Sequence, residues 1–343
     1  MNPLAMMMFL TSLAIGTTIT LSSHHWLLAW IGLEINTLAL LPIMTKTPHP
    51  RAIEAATKYF LTQATASALM LFSCLINAMQ AGEWDINTPS NLMTSSLSIA
   101  IMMKLGLAPM HFWLPEVLQG ISLVTGLILS TWQKIPPMIL LFQISHNINL
   151  SLTVILGLTS VLIGGWGGIG QTQIRKIMAF SSIGHLGWII IILKLNPQLS
   201  LFNFILYTIM TTAMFLSMIM LSATKMSQIS TSWTKNPALT TTTMLVLLSL
   251  AGLPPLTGFP PKLLIIMELI KQNMFISATL IMLASLLTLF FYLRLTYIIA
   301  LTLSPNTHNS TIWRTPTKPW LVFSIINTMA LTLLPLTPAI LLT

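Results

Sequence analysis

The sequence predicts an all-α polytopic membrane protein whose core is two inverted five-helix repeats. Three observations predict it. Of 343 residues, 55% are hydrophobic and only 6% are charged, with a mean hydropathy of +0.85; a soluble domain carries about 25% charged residues. Apolar stretches near the roughly 20 residues that a crossing helix needs follow one another with short connections. A proline-broken apolar helix occurs twice, as Gly106-Leu107-Ala108-Pro109 running to Pro115-Glu116 and as Gly252-Leu253-Pro254-Pro255 running to Pro261-Lys262. A shift of 146 residues lays Gly on Gly, Leu on Leu, Pro109 on Pro255 and Pro115 on Pro261, with Glu116 opposite Lys262. Paired Gly/Pro-interrupted hydrophobic segments at matching places in two halves mark a transporter core built from inverted repeats.

Eleven spans are read from the apolar runs: about 3–21, 25–44, 57–79, 93–119 (broken), 121–144, 150–170, 176–193, 199–222, 239–270 (broken), 275–301 and 319–341. The first begins at Met1 with no basic leader and no small-residue cleavage site, and reads as a retained helix rather than a signal peptide. Nearly the whole chain is thus in the bilayer, as one integral membrane domain. Spans 1–5 form a first repeat over 1–145, spans 6–10 a second over 146–301, and a loop with an added helix completes 302–343. Five is odd, so the second repeat inserts upside down, and the discontinuous helix is fourth in each repeat, helices 4 and 9. The run Thr240 to Thr243 at the start of helix 9 reads as interfacial.

The net charge of +9 would suggest nucleic acid only if basic residues clustered on a soluble face, so nucleic acid is not expected as a partner. Instead they sort by side. Loops on the N-terminal side hold Lys46, Arg51, Arg175, Lys176, Lys225, Lys235, Arg314 and Lys318; those on the other side hold Lys194 and Lys271 with Glu83 and Asp85. The positive-inside rule then places the N-terminus on the cytoplasmic or matrix side. The single cysteine, Cys74, reads as a buried structural thiol, and no metal or haem motif is available. Gly165-Trp166-Gly167-Gly168-Ile169-Gly170 matches GxGxxG but closes an apolar span; that fingerprint needs a strand before it, and close helix packing explains the glycines better.

Four charges fall inside spans: Glu34 in helix 2, Lys104 in helix 4, Lys134 in helix 5 and Lys262 in helix 9. At about 2.5–3.5 kcal/mol each on insertion scales, they cost roughly 10 kcal/mol before pairing. Each lysine sits beside a backbone break. A proline leaves the carbonyl four residues back without its donor: Pro109 frees Leu105, Pro136 and Pro137 free Trp132 and Gln133, and Pro254, Pro255, Pro260 and Pro261 open helix 9 before Lys262. Irregular backbone at membrane depth is tolerated only where protein or a water-filled cavity covers it. Lysines, freed carbonyls and water together make a polar path at mid-membrane. Burial disfavours an ammonium and a nearby carboxylate favours it, so moving Glu34 relative to Lys104 would switch a lysine between holding and releasing a proton. Lys134 and Lys262 then pass the proton on, which arginine, always protonated, would not do.

Plainer readings stand beside these. Lys104 and Lys134 are open to snorkelling, Lys262 to a loop position, and Glu34 to a structural ion pair. Lys58 and Glu54 read as interfacial, and Arg294 as structural. Glu116 and Glu268 either line the path or pair structurally. His185, in Ser181-Ser182-Ile183-Gly184-His185, and His111, within the helix 4 break, are either helix contacts or proton relays. The 23 methionines read as packing.

The segments Trp30-Ile31-Gly32-Leu33-Glu34, Lys104-Leu105-Gly106-Leu107-Ala108-Pro109-Met110-His111-Phe112-Trp113, Thr131-Trp132-Gln133-Lys134 and Gly164-Gly165-Trp166-Gly167-Gly168 resemble the antiporter-like membrane-arm subunits of mitochondrial NADH:ubiquinone oxidoreductase, respiratory complex I. The resemblance runs end to end, and the length and the Met-Asn-Pro start also fit. It implies a multi-pass subunit of the mitochondrial inner membrane, with the N-terminus in the matrix and the C-terminus in the intermembrane space, in a family whose animal members lack three N-terminal helices found in bacterial relatives. It implies Glu34 and Lys104 as a coupling pair, Lys134 as central relay and Lys262 at proton exit or transfer to a neighbour. Neighbouring antiporter-like subunits are the implied partners. Membrane lipids complete the surroundings; cardiolipin at the basic loops fits the charge but no motif indicates it. The resemblance also implies no flavin, iron–sulfur cluster or NADH in this chain, in a complex that uses NADH, FMN, iron–sulfur clusters and ubiquinone. An autonomous cation/proton antiporter of the same fold, and a structural subunit whose charges merely hold a hydrated core, are the competing readings.

Overall fold

The computed structural model describes residues 3–46, 49–86, 91–234, 236–301 and 320–337. It is all-helical, with fifteen α-helices among the described residues. Seven are long and apolar enough to cross a membrane, and they coincide with predicted spans 1, 2, 3, 6, 7, 8 and 10. Spans 4, 5 and 9 are built from shorter pieces. The chain separates into two compact units, Met1–Gly157 and Leu158–Thr343.

In the first unit, α1 (Pro3–Ser22) and α2 (Trp26–Met44) lie unusually close, because Gly16 and Gly32 face one another. A Cβ on Gly32 would sit 2.9 Å from the Gly16 carbonyl, and one on Gly16 would sit 2.6 Å from Asn36 Oδ1. Helix α3 (Pro50–Ala81) begins with Pro50 behind the cap His49 and ends on Gly82 at φ 71°. It starts earlier than the span predicted from residue 57, so Glu54 and Lys58 belong to the helix. At 32 residues it is about 48 Å long, longer than the roughly 30 Å hydrocarbon core. The Trp30 indole donates to the Ser67 carbonyl at 3.1 Å and ties α2 to α3.

Helices α4 (Asn91–Leu105) and α5 (Trp113–Gly120) are the two parts of the broken span. The first part ends at Gly106, before Pro109 is reached. Gly106 takes φ 80°, its N–H donates to the Met102 and Met103 carbonyls, and the Leu107 N–H reaches back to Met102 at 3.1 Å. This is a Schellman-type end, in which glycine adopts the left-handed conformation that other residues resist. Gly120 lets α5 approach α3, where a Cβ would lie 2.6 Å from the Arg51 carbonyl.

Span 5, expected as one helix over 121–144, is instead α6 (Leu123–Ser130), a 3₁₀ turn over Trp132–Lys134 and α7 (Ile135–Gln143). Pro136 and Pro137 lack the N–H groups that would bond Trp132 and Gln133. The chain tightens to i→i+3 bonding there: Lys134 N–H donates to Thr131 at 3.3 Å and Ile135 N–H to Trp132.

In the second unit, α8 (Leu150–Ile169, continuing from the first) packs through its glycines. A Cβ on Gly164 would meet the Gly184 nitrogen at 2.7 Å, one on Gly165 the Leu287 Cβ at 2.7 Å, and one on Gly168 the Phe291 ring at 2.8 Å. The glycine run is a packing surface, as its placement in an apolar span predicts. Helix α9 (Ile174–Leu193) is buried nearly all round. Helices α10 (Pro197–Leu221) and α12 (Pro237–Ala251) start alike, each with proline in its first turn and an asparagine cap. A short α11 (Met226–Ser230) with a 3₁₀ turn over Thr231–Thr234 precedes α12 and was not anticipated. The second broken span comprises α12 and α13 (Phe259–Lys271). Gly252, at φ 85°, ends α12 as Gly106 ends α4, with Leu253 N–H reaching the Leu248 carbonyl at 3.4 Å. At 15 residues each, α4 and α12 are about 22 Å long, too short to cross alone. Helix α14 (Phe275–Leu301) and α15 (Trp320–Thr332) complete the described chain. Lys235, Arg314 and Lys318, and the C-terminal end of the predicted last span, lie outside the described residues.

Candidate functional site

Each unit gathers buried polar groups at its break. In the first unit Lys104 occupies the last turn of α4, where a helix's negative end favours a cation. Lys134 is carried by the 3₁₀ turn between α6 and α7. They are 7% and 3% exposed, which rules out a head group snorkelled to water. Both line one cavity of about 20 Å³, together with Asn36, Tyr59, Gln63 and Gln133. A single water needs about 10–15 Å³ and two to four polar partners, and these walls provide them. Three long-range hydrogen bonds fix the walls. Gln63 Nε2 donates to the Lys104 carbonyl at 3.3 Å, Gln133 Nε2 to the Asn36 carbonyl at 3.2 Å, and Trp113 Nε1 to the Met103 carbonyl at 3.3 Å. The Lys104 and Met103 carbonyls lie in the last turn of α4, so Gln63 and Trp113 serve the helix end that the break creates, while Gln133 ties the 3₁₀ turn to the middle of α2.

Glu34, on α2, is half-buried and acts electrostatically on Lys104 and on Tyr59. It stands back from the cavity wall, and among the described residues it forms no ion pair within 4.0 Å. Neither Glu34 Oε2 nor Lys104 Nζ has a hydrogen-bond partner among the described residues. The pair is thus a separated carboxylate and ammonium rather than a closed salt bridge.

Glu116 and His111 are placed differently. Glu116 accepts from Lys58 at 2.6 Å, and Lys58 also reaches Glu54 at 2.6 Å; the Lys58 and Glu116 side chains are 41% and 50% exposed. This joins α3 to α5 outside the cavity. His111 is buried in the break itself, with Nδ1 3.1 Å from the Pro109 carbonyl and its ring 4.2 Å from that of Phe112. It holds the turn and does not line the cavity.

In the second unit Lys262 reaches back from α13 and donates to the Ala251 carbonyl at 2.7 Å. That carbonyl is the last of α12 and lies four residues before Pro255, so it has lost its helical donor. Its position past a double proline had left a loop lysine open; the structure instead folds it onto a helix end. His185, on α9, is buried among aromatic groups: Nε2 lies 3.5 Å from the Tyr292 hydroxyl and the ring 5.5 Å from that of Tyr207. Ser181 faces Tyr292 and Ser182 faces Tyr207. Glu268 pairs with Lys271 at 3.7 Å, and Arg294 donates to the Ile169 carbonyl at 2.5 Å, a structural tie between α14 and α8.

Sequence reasoning missed Asn36, Tyr59, Gln63, Tyr207 and Tyr292. The amides carried a usable signal, since a polar side chain in the middle of an apolar span has the same need for partners as a charge. The tyrosines did not, because they also suit an apolar core. Among the described residues no group of three or more His, Cys, Asp or Glu side chains is arranged to hold a metal ion.

Two family models cover the chain: residues 23–288 match the NADH:quinone oxidoreductase/Mrp antiporter transmembrane family, and residues 289–341 match the NADH dehydrogenase subunit 2 C-terminus. Among curated relatives, NADH-ubiquinone oxidoreductase chain 2 of Aquarana catesbeiana is 73% identical over 343 residues, covering 100% of both chains. Its namesake from Xenopus laevis is 59% identical, covering 98% of this chain and 99% of its own. Among solved structures, a chain of respiratory complex I from Thermus thermophilus with bound aureothin superposes with a TM-score of 0.89 at 24% identity, over 100% of this chain and 81% of that one. A chain of the Mrp complex from Dietzia sp. DQ12-45-1b gives 0.84 at 18% identity, over 97% and 76%. At such identities the likeness is one of fold.

Proposed function

From the premise that the chain belongs to the NADH:quinone oxidoreductase/Mrp antiporter family, in its NADH dehydrogenase subunit 2 branch, we propose that it moves protons through buried lysines set at helix breaks. It is an antiporter-like membrane subunit of NADH-ubiquinone oxidoreductase, the proton-translocating complex I of the respiratory chain. The complex as a whole uses NADH, FMN, iron–sulfur clusters and ubiquinone, and other complex I subunits are its partners. Redox chemistry there is the energy source; this chain's own residues hold and move protons.

One observation carries the proposal: Lys104 and Lys134, both buried, share the walls of one water-sized cavity. A proton held on one ammonium has a path through water to the other amine. Glu34, near Lys104 but not bonded to it, sets the balance. Closing the pair favours the charged lysine, and opening it favours release. Lys262, on the Ala251 carbonyl, is the corresponding group of the second unit, and His185, set against Tyr292 and Tyr207, belongs to the same path on this reading. His111 and Glu116 stand behind these four, the first shaping the break and the second on the exposed face. The organisation that goes with this function is eleven spans in two inverted five-helix repeats, 1–145 and 146–301, with the added segment 302–343. The membrane is the mitochondrial inner membrane, with the N-terminus in the matrix and the C-terminus in the intermembrane space. The sorting of basic loops supports that orientation.

The test is Lys134→Met, assayed in assembled complex recovered from a mild-detergent native gel that co-stains for NADH oxidation. Proton translocation is expected to fall sharply while the large NADH-oxidising band survives. Full pumping stoichiometry in an intact Lys134→Met complex would remove Lys134 from the relay. Migration of the chain as a small species, in membranes whose complex I is intact, would favour an autonomous antiporter.

A further inference from the structure

The second break contains a contact that its own backbone geometry does not require. Gly252 ends α12 at φ 85°, and glycine is favoured there for that reason alone. Yet a Cβ at this position would also lie 2.8 Å from Lys262 Nζ and 3.1 Å from both Lys262 Cε and Cδ. The lysine side chain runs directly over the hydrogen face of Gly252 to reach the Ala251 carbonyl at 2.7 Å. At Gly106, φ 80°, a Cβ would meet only apolar side-chain atoms, Leu114 Cδ1 at 3.1 Å and Trp113 Cζ2 at 3.2 Å. Gly82, at φ 71°, has nothing within 4 Å of where its Cβ would be. The atom that an alanine at 252 would strike is the far end of a flexible side chain rather than backbone. The way to relieve the overlap is to move the ammonium off the carbonyl, leaving the helices where they are.

We infer that Gly252 is a positioning residue for Lys262: its missing side chain is the passage through which the ammonium reaches the end of α12. The bare surface gives Lys262 a docked position on a carbonyl that Pro255 has stripped of its helical donor, next to the negative end of α12. Any side chain at 252 closes that position and leaves Lys262 only its undocked ones. This rests on Lys262 being a proton-carrying group, and the test separates the two claims.

The experiment compares intact complexes carrying Gly252→Ala, Gly82→Ala, Lys262→Ala and the double substitution Gly252→Ala/Lys262→Ala, reading proton translocation per assembled complex. Gly82→Ala isolates the cost of a non-glycine residue in the left-handed region. Gly252→Ala is expected to lower the rate by about tenfold, below the full loss of a proton-transfer group, while Gly82→Ala stays within about twofold of the parent. The double variant is expected to equal Lys262→Ala, because residues acting through one group are non-additive. A structural role would not give that equality. Gly252→Ala within twofold of the parent, or an equal fold-loss when added to Lys262→Ala, would overturn the inference. A full rate in Lys262→Ala would instead overturn the relay role of Lys262. Should Gly252→Ala fail to assemble, the double variant decides: removing the lysine side chain restores assembly if the overlap is the cause, and failure to restore it overturns the inference.

Discussion

Lys104→Met separates a relay from a scaffold more sharply than any other change in the first unit. The Lys104 ammonium has no hydrogen-bond partner among the described residues, so methionine, of similar length and unbranched, takes its place without orphaning an acceptor. A lysine at a helix centre costs about 2.5–3.5 kcal/mol on insertion scales. Its place in the last turn of α4 returns about 0.3–1 kcal/mol through the helix dipole, and Glu34 offsets more of it. The terms for the lysine itself thus nearly cancel, and the net stability change is small. Removing one partner of a closed buried pair is strongly destabilising because the other charge is left uncompensated; Glu34 is only half-buried and not bonded to Lys104, so that cost is small here. The catalytic consequence is large: removing a positioned proton-transfer group typically costs about 10²–10⁴ in rate. Proton uptake by membrane vesicles, read as quenching of a pH-sensitive dye and normalised to complex on a native gel, is expected to fall at least about a hundredfold with complex content unchanged. Near-parental uptake from an assembled Lys104→Met complex would refute the relay. Loss of the complex itself would show that the charge is structural, contrary to its lack of a bonded partner.

Two other outcomes follow from the packing. Gly164→Val places branched carbon against the Gly184 nitrogen, where even a Cβ would be at 2.7 Å; at about 1–3 kcal/mol or more for overpacking, assembled complex on the gel should drop severalfold, with per-complex activity preserved. Lys58→Met breaks the contacts to Glu54 and Glu116, whose side chains are 62% and 50% exposed. Exposed pairs contribute about 0–1 kcal/mol, so thermal stability and rate should barely change, and a large loss of pumping would return Glu116 to the proton path.

Much of this arrangement was legible before any coordinates. Hydropathy marked where helices run, and Gly106, Gly252 and their prolines marked the two breaks, because both residues act through local backbone geometry. The buried lysines stood out because a charge in an apolar span is costly anywhere. Contacts between distant segments were not legible. The start of α3 at Pro50 keeps Lys58 in the helix that meets Glu116, 58 positions later. The assignment of Asn36, Gln63 and Gln133 to one cavity wall depends on three helices arriving together. The backward reach of Lys262 depends on how α13 leaves the break, for which its double proline gave only the opening. Span 5 was misread as continuous although its prolines were noted, because two prolines at the start of α7 fit a helix beginning as well as a kink within one.

Helix α9 carries a further consequence. It is apolar enough to cross a membrane unaided, yet 89% of its apolar window is enclosed by protein. Lipid and neighbouring side chains are almost equally good solvents for such a surface, so nothing in its own sequence distinguishes a central helix from a peripheral one. It enters the bilayer surrounded by acyl chains and must exchange that coat for α8, α10, α13 and α14. The glycines of α8 and the hydroxyl and imidazole groups around His185 make the exchange favourable, since close backbone contact and polar partners are what lipid does not offer. Assembly of this half thus amounts to a delipidation centred on α9, with close glycine contacts and buried polar groups drawing its interior together.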